Sequence, residues 1–463
     1  MLQPDHSLTA TDLTPELSMF WSLSGKKIQL IESNYDHSCG SPVFTEGGKY
    51  TTRGWTEWTQ GFEFGSGIFQ FEATGDEWFL EFARTNTLDR MAPHLSHFGV
   101  HDHGFNNVST YGNLLRLQES GICAENQWER DHHRLALKLS GAVQAKRWTN
   151  NNNGGFIHSF NGPHSLFVDT IRSCRSLAIA HLLGHRCMDE GDSEVSMLER
   201  LIQHAKATAQ YSIYYGDGRD RYDTEPGRTT HEAIFNTASG QFRCPSTQQG
   251  YSAFSTWTRG LAWAMLGFAE ELEFIRELGD TDLDAIDGRK EIEPLFLKAA
   301  CATCDFYINN TPIDGIPYWD TGAPGLEKLG QGYLERKSDP FNDHEPVDSS
   351  AAAIGAQGLL RLGRYLGTTN KEGKRYFQAG LSVARSLFSE PFLSTSPTHQ
   401  GLILHSIYHH PNGWDHVPAG SLVPNGESSM WGDYHARELA HYIGKIASGS
   451  DYRFFDCVPQ TND

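Results

Sequence analysis

Two carboxylates stand where proton chemistry is possible. Asp102 lies in His101-Asp102-His103-Gly104-Phe105, flanked by two imidazoles, a glycine and an aromatic ring. Asp169 lies in Phe167-Val168-Asp169-Thr170-Ile171, behind apolar residues on what reads as a buried helix face. An acid held among apolar and aromatic groups near a second acid has a raised pKa and can carry a proton near neutrality. That is the equipment of an acid–base enzyme acting on a sugar. The alternative for each aspartate is structural: a helix cap, or a pair with a distant arginine.

Other groups suited to sugar recognition recur along the chain. One segment is Trp55-Thr56-Glu57-Trp58-Thr59-Gln60-Gly61-Phe62. Another runs from His231 through Gln249-Gly250-Tyr251-Ser252 to Thr258-Arg259-Gly260-Leu261-Ala262-Trp263-Ala264. Arg259 has the permanent charge and planar donor fork that suit a carboxylate, with a structural ion pair as the alternative. Trp58 and Trp263 offer faces on which a sugar could stack. Bare tryptophans are otherwise core residues, and a lone histidine such as His231 is otherwise a satisfied structural group. The pairs His101/His103, His132/His133 and His409/His410 invite a metal reading. Adjacent or alternate histidines on a helix point apart, however, and no H-E-x-x-H pattern occurs, so no metal is expected.

In combination and in this order, these segments resemble the unsaturated glucuronyl hydrolases, glycoside hydrolase family 88. The family's W-x-x-G-F segment is matched by Trp58 to Phe62 and its H-D-x-G-F segment by His101 to Phe105. Its second aspartate, at the head of a helix, is matched by Asp169. Its Q-G-Y-S segment corresponds to Gln249-Gly250-Tyr251-Ser252, and its S-R-G-x-A-W segment to Thr258 through Trp263. Ile316-Pro317-Tyr318-Trp319-Asp320, Asp348-Ser349-Ser350-Ala351-Ala352-Ala353-Ile354, Gly401-Leu402-Ile403-Leu404-His405 and Trp431-Gly432-Asp433-Tyr434 extend the match. The chain departs at Leu261, where glutamine is usual, at His103, where an apolar residue is common, and at Ala253 and Phe254.

The resemblance implies an all-α fold, an (α/α)6 barrel of six inner and six outer helices. It also implies a hydrolase that removes a 4,5-unsaturated uronic acid from lyase-generated oligosaccharides by hydrating the ring double bond. Asp169 would then be the acid–base and Asp102 its partner, with Trp58, His101, His231, Gln249, Arg259 and Trp263 binding substrate and no cofactor required. The helix dipole would favour an ionised Asp169, while burial and the charge of Asp102 oppose it. The expectation is a protonated Asp169. Two competing functions are an inverting glycosidase on saturated uronides and a carbohydrate-binding protein without catalysis.

The composition is that of a soluble globular protein. The chain has 463 residues, 38% hydrophobic and 21% charged, and is 12% aromatic. A formal net charge of -19 argues against nucleic acid and anionic membranes as partners. The expected ligand is a small anionic unsaturated oligosaccharide, with the protein a monomer or homodimer. The start of the chain shows no secretory signal, and the compartment is left open between cytoplasm and periplasm. The eight cysteines are scattered, and Cys301-Ala-Thr-Cys304 stands alone inside a helical pattern, so core cysteines are expected.

The elements that must position these groups are helical. Apolar periodicity marks helices near 11–23, 62–74, 76–91, 106–118, 132–145, 192–211, 289–309, 371–388 and 431–447. Three more begin near Pro163, Trp257 and Ser350. Long Gly/Pro/Asn-rich loops are expected at 24–57, 212–256, 310–347 and 389–430. No linker divides the chain, so one domain over 1–463 is expected, with 1–54 partly an extended N-terminal segment. No strand–helix alternation suggests a doubly wound sheet.

Overall fold

Two kinds of helix build the molecule, and burial separates them. In the computed structural model, which describes residues 1–53 and 58–459, Thr258–Glu277 and Ser349–Leu366 are buried on nearly every side. Gln127–Lys146 instead buries one face, through His133, Ala136, Leu137, Ser140, Gly141 and Gln144. A helix apolar all round belongs inside, and one with a single stripe covers a core from outside. Each fully buried Leu, Ile or Phe on these faces contributes about 1.5–3 kcal/mol.

The inner helices pack in a closed order. Gln60–Thr74 packs on His103–Asn107, which packs on Thr170–Ser173 and Arg175–Leu182. Thr170–Ser173 meets Thr258–Glu277, then come Ser349–Leu366 and Met430–Ala447, which returns to Gln60–Thr74. Outside them, Glu77–Arg90 backs Gln60–Thr74, Gln127–Lys146 and Met197–Tyr211 back Arg175–Leu182, and Arg289–Asn310 backs Thr258–Glu277. Lys371–Leu387 backs Ser349–Leu366. Thr14–Asn34 lies against Gln60–Thr74 and Met430–Ala447. The all-α class expected from the sequence holds. Among the described residues no helix is long and apolar enough to cross a membrane.

Charge sits where the inner helices meet. Arg172 donates to Glu270 at 3.1 Å and to Glu438 at 2.7 Å, with all three side chains at most 1% exposed. Burial pushes the Glu438 carboxyl up, but Arg172 and Arg175 outweigh it and hold it well below the carboxylate range. Removing one member would leave an uncompensated buried charge, so the cluster constrains which helices can be neighbours.

Two expectations need correction. The helix read from 11 to 23 runs over Thr14–Asn34, so the loop expected from 24 begins later. The helix read from Pro163 starts at Thr170, and Ser165–Phe167 is a strand. That strand pairs antiparallel with Glu232–Phe235, with Phe167 opposite Glu232, and Glu232–Phe235 pairs in turn with Phe242–Ser246. A short apolar run fits a buried strand or a helix equally well, and here the partner strands lie inside the stretch expected to be a loop at 212–256. Trp55, Thr56 and Glu57 of the first motif lie outside the described residues.

Candidate active site

Asp102 immediately precedes helix His103–Asn107, and Asp169 immediately precedes helix Thr170–Ser173. Both occupy capping positions, yet neither side chain caps its helix. Two glycines bring these helix starts into register with their neighbours. The Gly104 N–H donates to Ser173 Oγ at 3.0 Å, and a Cβ at Gly104 would lie 2.1 Å from the Ser173 carbonyl oxygen. A Cβ at Gly61 would lie 2.3 Å from the Asn106 carbonyl oxygen. No larger residue fits either crossing. A π-helical turn, Val108–Gly112, follows directly on the Asp102 helix; such turns recur at functional sites.

Asp169 has a second anchor. The Val168 N–H donates to the His231 carbonyl at 2.9 Å, continuing the strand pairing up to the catalytic candidate. The small sheet therefore ties Asp169, His231 and, beyond its third strand, Gln248 and Gln249 into one unit.

His101 joins the two acids. Its Nε2 lies 3.8 Å from Asp102 Oδ1 and 3.6 Å from Asp169 Oδ1. These are ion-pair distances beyond a hydrogen bond. Both ring nitrogens and Asp169 Oδ1 have no partner at hydrogen-bond distance among the described residues. Burial alone would lower the His101 pKa, but the charges of Asp102 and Asp169 raise it above the ordinary imidazole value. Burial raises Asp102, reinforced by the charge of Asp169, and His101 only partly offsets it. Burial also pushes Asp169 up, but His101 beside it and the more distant His231 outweigh that, so its pKa is lowered.

This reverses the direction expected for Asp169: it is the more readily ionised of the two acids, and the imidazole beside it is made more basic. The sequence weighed Asp102 against Asp169 and did not place an imidazole between them.

The acids open into a cavity of about 400 Å³. Of the candidates read from sequence, Asp102, Asp169, His101, Trp58, Gln249, Arg259 and Trp263 line it. Trp58 stacks on Trp431 with ring centroids 5.0 Å apart, and Trp263 packs on Phe105 at 4.9 Å. His231 sits behind the wall, its ring 4.4 Å from that of Phe167 and 4.7 Å from that of Trp257. The backbone N–H groups of Gln248 and Gln249 donate to its Nδ1 at 3.0 and 3.3 Å, so the proton of the neutral ring is on Nε2. Burial pushes its pKa down to about 4, which keeps it neutral near neutrality.

Arg259 is not a free carboxylate grip. Its guanidinium donates to Asp348 at 3.0 Å, Gln249 Oε1 at 2.8 Å, the Tyr408 carbonyl at 2.7 Å and the Ile407 carbonyl. It also lies over Trp257 and Trp431, 4.6 and 5.0 Å from their ring centroids. The structural-pair alternative describes it better, and its service to the site is to take the Gln249 oxygen, leaving the amide N–H groups for the cavity. Arg259→Lys is expected to destabilise the fold by about 3 kcal/mol, because lysine cannot hold four acceptors in one plane and leaves Asp348 buried and underpaired. Urea unfolding of the variant measures this.

Sequence reading missed Trp257, Tyr408, His409, Phe160 and Gln248, which also line the cavity. Trp257 directly precedes the Thr258–Trp263 motif, and Tyr408 and His409 closely follow the Gly401–His405 segment, so proximity to a motif was the available signal. His409 was weighed only as a metal ligand. Among the described residues no group of three or more His, Cys, Asp or Glu side chains is arranged around a metal-sized space.

No family model matches the chain. It is 26% identical over 414 residues to the unsaturated glucuronyl hydrolase of Bacillus sp. (strain GL1), covering 87% of this chain and 90% of that protein. A crystal structure of unsaturated glucuronyl hydrolase from Bacillus sp. GL1 superposes with a TM-score of 0.68 at 21% identity, covering 94% of this chain and 99% of that one. The unsaturated chondroitin disaccharide hydrolase of Streptococcus pyogenes serotype M1 is 24% identical over 442 residues, covering 93% and 91% of the two chains. A variant of the Streptococcus agalactiae unsaturated glucuronyl hydrolase, in complex with dGlcA-GalNAc6S, superposes with a TM-score of 0.62 at 19% identity, covering 92% and 90%.

Proposed function

Because this chain belongs to the unsaturated glucuronyl hydrolases and is a glycoside hydrolase, we propose that it removes the 4,5-unsaturated uronic acid from the non-reducing end of lyase-generated oligosaccharides. The observation that carries this reading is a pair of non-capping carboxylates sharing one imidazole on the wall of an aromatic cavity.

The C4=C5 bond of such a sugar is part of an enol ether. A proton delivered to C4 leaves oxocarbenium character between C5 and the ring oxygen. Water adds at C5 and gives up a proton. The resulting hemiketal opens at the bond between C5 and the ring oxygen, and the hemiacetal left at C1 releases the leaving sugar. Asp169 gives the first proton and takes the one from water, so it ends each cycle as it began.

Asp169 must be protonated before the first step, and His101 is the source. An entering uronate adds negative charge, which raises the pKa of every acid around it. His101 Nε2, which would pass that proton on, is 3.6 Å from Asp169 Oδ1. Asp102 faces the same Nε2, 3.8 Å from it, and lines the cavity, where it would bind a sugar hydroxyl.

A second assignment is favoured by one observation: burial and neighbours push the two acids in opposite directions, Asp102 up and Asp169 down. That pattern suits Asp102 as acid and Asp169 as base, with His101 returning the proton between turnovers.

The experiment is to follow the ultraviolet absorbance of the conjugated double bond in lyase-generated disaccharides, with and without chelator. Bleaching that continues in chelator is expected. Activity lost in chelator and restored by a divalent ion overturns the metal-free step, and preference for saturated uronides overturns hydration in favour of an inverting glycosidase.

A further inference from the structure

We infer that the leaving sugar carries no sulfate: the cavity suits one anion, the uronate, joined to an uncharged residue that presents an apolar face. This rests on the reading above for the uronate itself. It comes from the charges that surround the cavity.

The acids on the wall are Asp102 and Asp169. Among the described residues Arg259 is the one arginine on the wall, and no lysine is there. Its donors are taken by Asp348, Gln249 and two backbone carbonyls. Two more arginines act on the site from nearby. The charge of Arg147 reaches Asp102 and His101, but its guanidinium is held by the carbonyls of His158 at 2.7 Å, Ser159 at 2.6 Å and Phe98. The charge of Arg53 reaches Tyr408, and its guanidinium donates to Glu46, Thr51 and the carbonyls of Thr52 and Trp414. Burial pushes the His409 pKa down to about 4, so that ring is neutral in the working range.

What remains for an anion is the Gln249 amide and two imidazoles on the wall, His101 and the partly exposed His97, both of which already act on Asp102. The His101 ring already faces two carboxylates. One uronate carboxylate can use these donors, but a second anion would meet no permanently charged side chain with a donor to spare on the described wall. A sulfate ester stays charged at any working pH, so it cannot escape burial by taking up a proton, and an unpaired buried charge is strongly unfavourable. The rest of the wall offers ring faces: Trp58, Phe105, Phe160, Trp257, Trp263 and Tyr408. Phe98, next in sequence to the wall residues His97 and Gly99, is 70% exposed. Such faces suit the C–H side of an unsubstituted pyranose.

The test compares kcat/KM for a 4,5-unsaturated uronate linked to glucose, to N-acetylhexosamine, and to the same N-acetylhexosamine bearing a 4-O- or 6-O-sulfate. Each sulfate is expected to lower kcat/KM at least about tenfold against its unsulfated counterpart. Equal or faster turnover of a sulfated disaccharide overturns the inference. If none is turned over, the hydrolase reading fails, and binding to Asp169→Asn by calorimetry then reads the inference alone. Binding of the unsulfated disaccharide at least about tenfold more tightly upholds it. Equal or tighter binding of the sulfated one, or binding of neither, overturns it.

Discussion

Asp169→Asn is expected to lose at least about a hundredfold in turnover, the usual scale for a positioned acid or base, while the protein stays folded. Folding survives for two reasons. The carboxylate caps no helix, so no helix cap is lost. An uncharged amide in a site only 9% exposed avoids the desolvation of a charge. The substitution also removes one of the two negative charges that raise His101, so its pKa should fall toward the ordinary imidazole value. Turnover on an unsaturated disaccharide, circular dichroism and the NMR titration of His101 check the three parts. A folded variant with parental turnover refutes the role of Asp169.

Asp102→Asn separates the two assignments of the acid. If Asp169 both gives and takes the proton, this variant should keep turnover at least about tenfold above that of Asp169→Asn, with weaker binding. Equal losses in the two variants support Asp102 as the acid. The pH profile gives an independent sign. Activity needs the proton held by His101, whose pKa is raised by both carboxylates, so the parent's alkaline limb should lie above the ordinary imidazole value of about 6.5. Removing the Asp102 charge makes that proton easier to lose. The limb of the variant should therefore move to lower pH. A limb that stays in place, or moves up, would show that Asp102 does not hold the proton through His101.

Helix positions were legible because helical periodicity is local. The helix expected to begin near Ser350 begins at Ser349, one residue away. The strand Ser165–Phe167 was not legible, because three residues are too few to carry a period and their partners lie some way along the chain, at Glu232–Phe235. Gly104 was visible as a motif glycine, but its reason, the Ser173 carbonyl against it, is a contact between two helices.

The sequence by itself determined the helical class, the two aspartates and most of the side chains that line the cavity, since residue type and order along the chain carry that information. Only the tertiary structure decided which way each acid's pKa moves and what the cations do. Those properties depend on distances between residues far apart in sequence. His101 is adjacent to Asp102 by chain order, but its approach to Asp169 at 3.6 Å is made by folding, and that approach reverses the direction expected for the Asp169 pKa. Arg259 likewise has the chemistry of a substrate grip in one dimension. In three dimensions Asp348 and the carbonyls of Ile407 and Tyr408 reach its fork first, and an electrostatic partner is set by proximity, which sequence order does not encode.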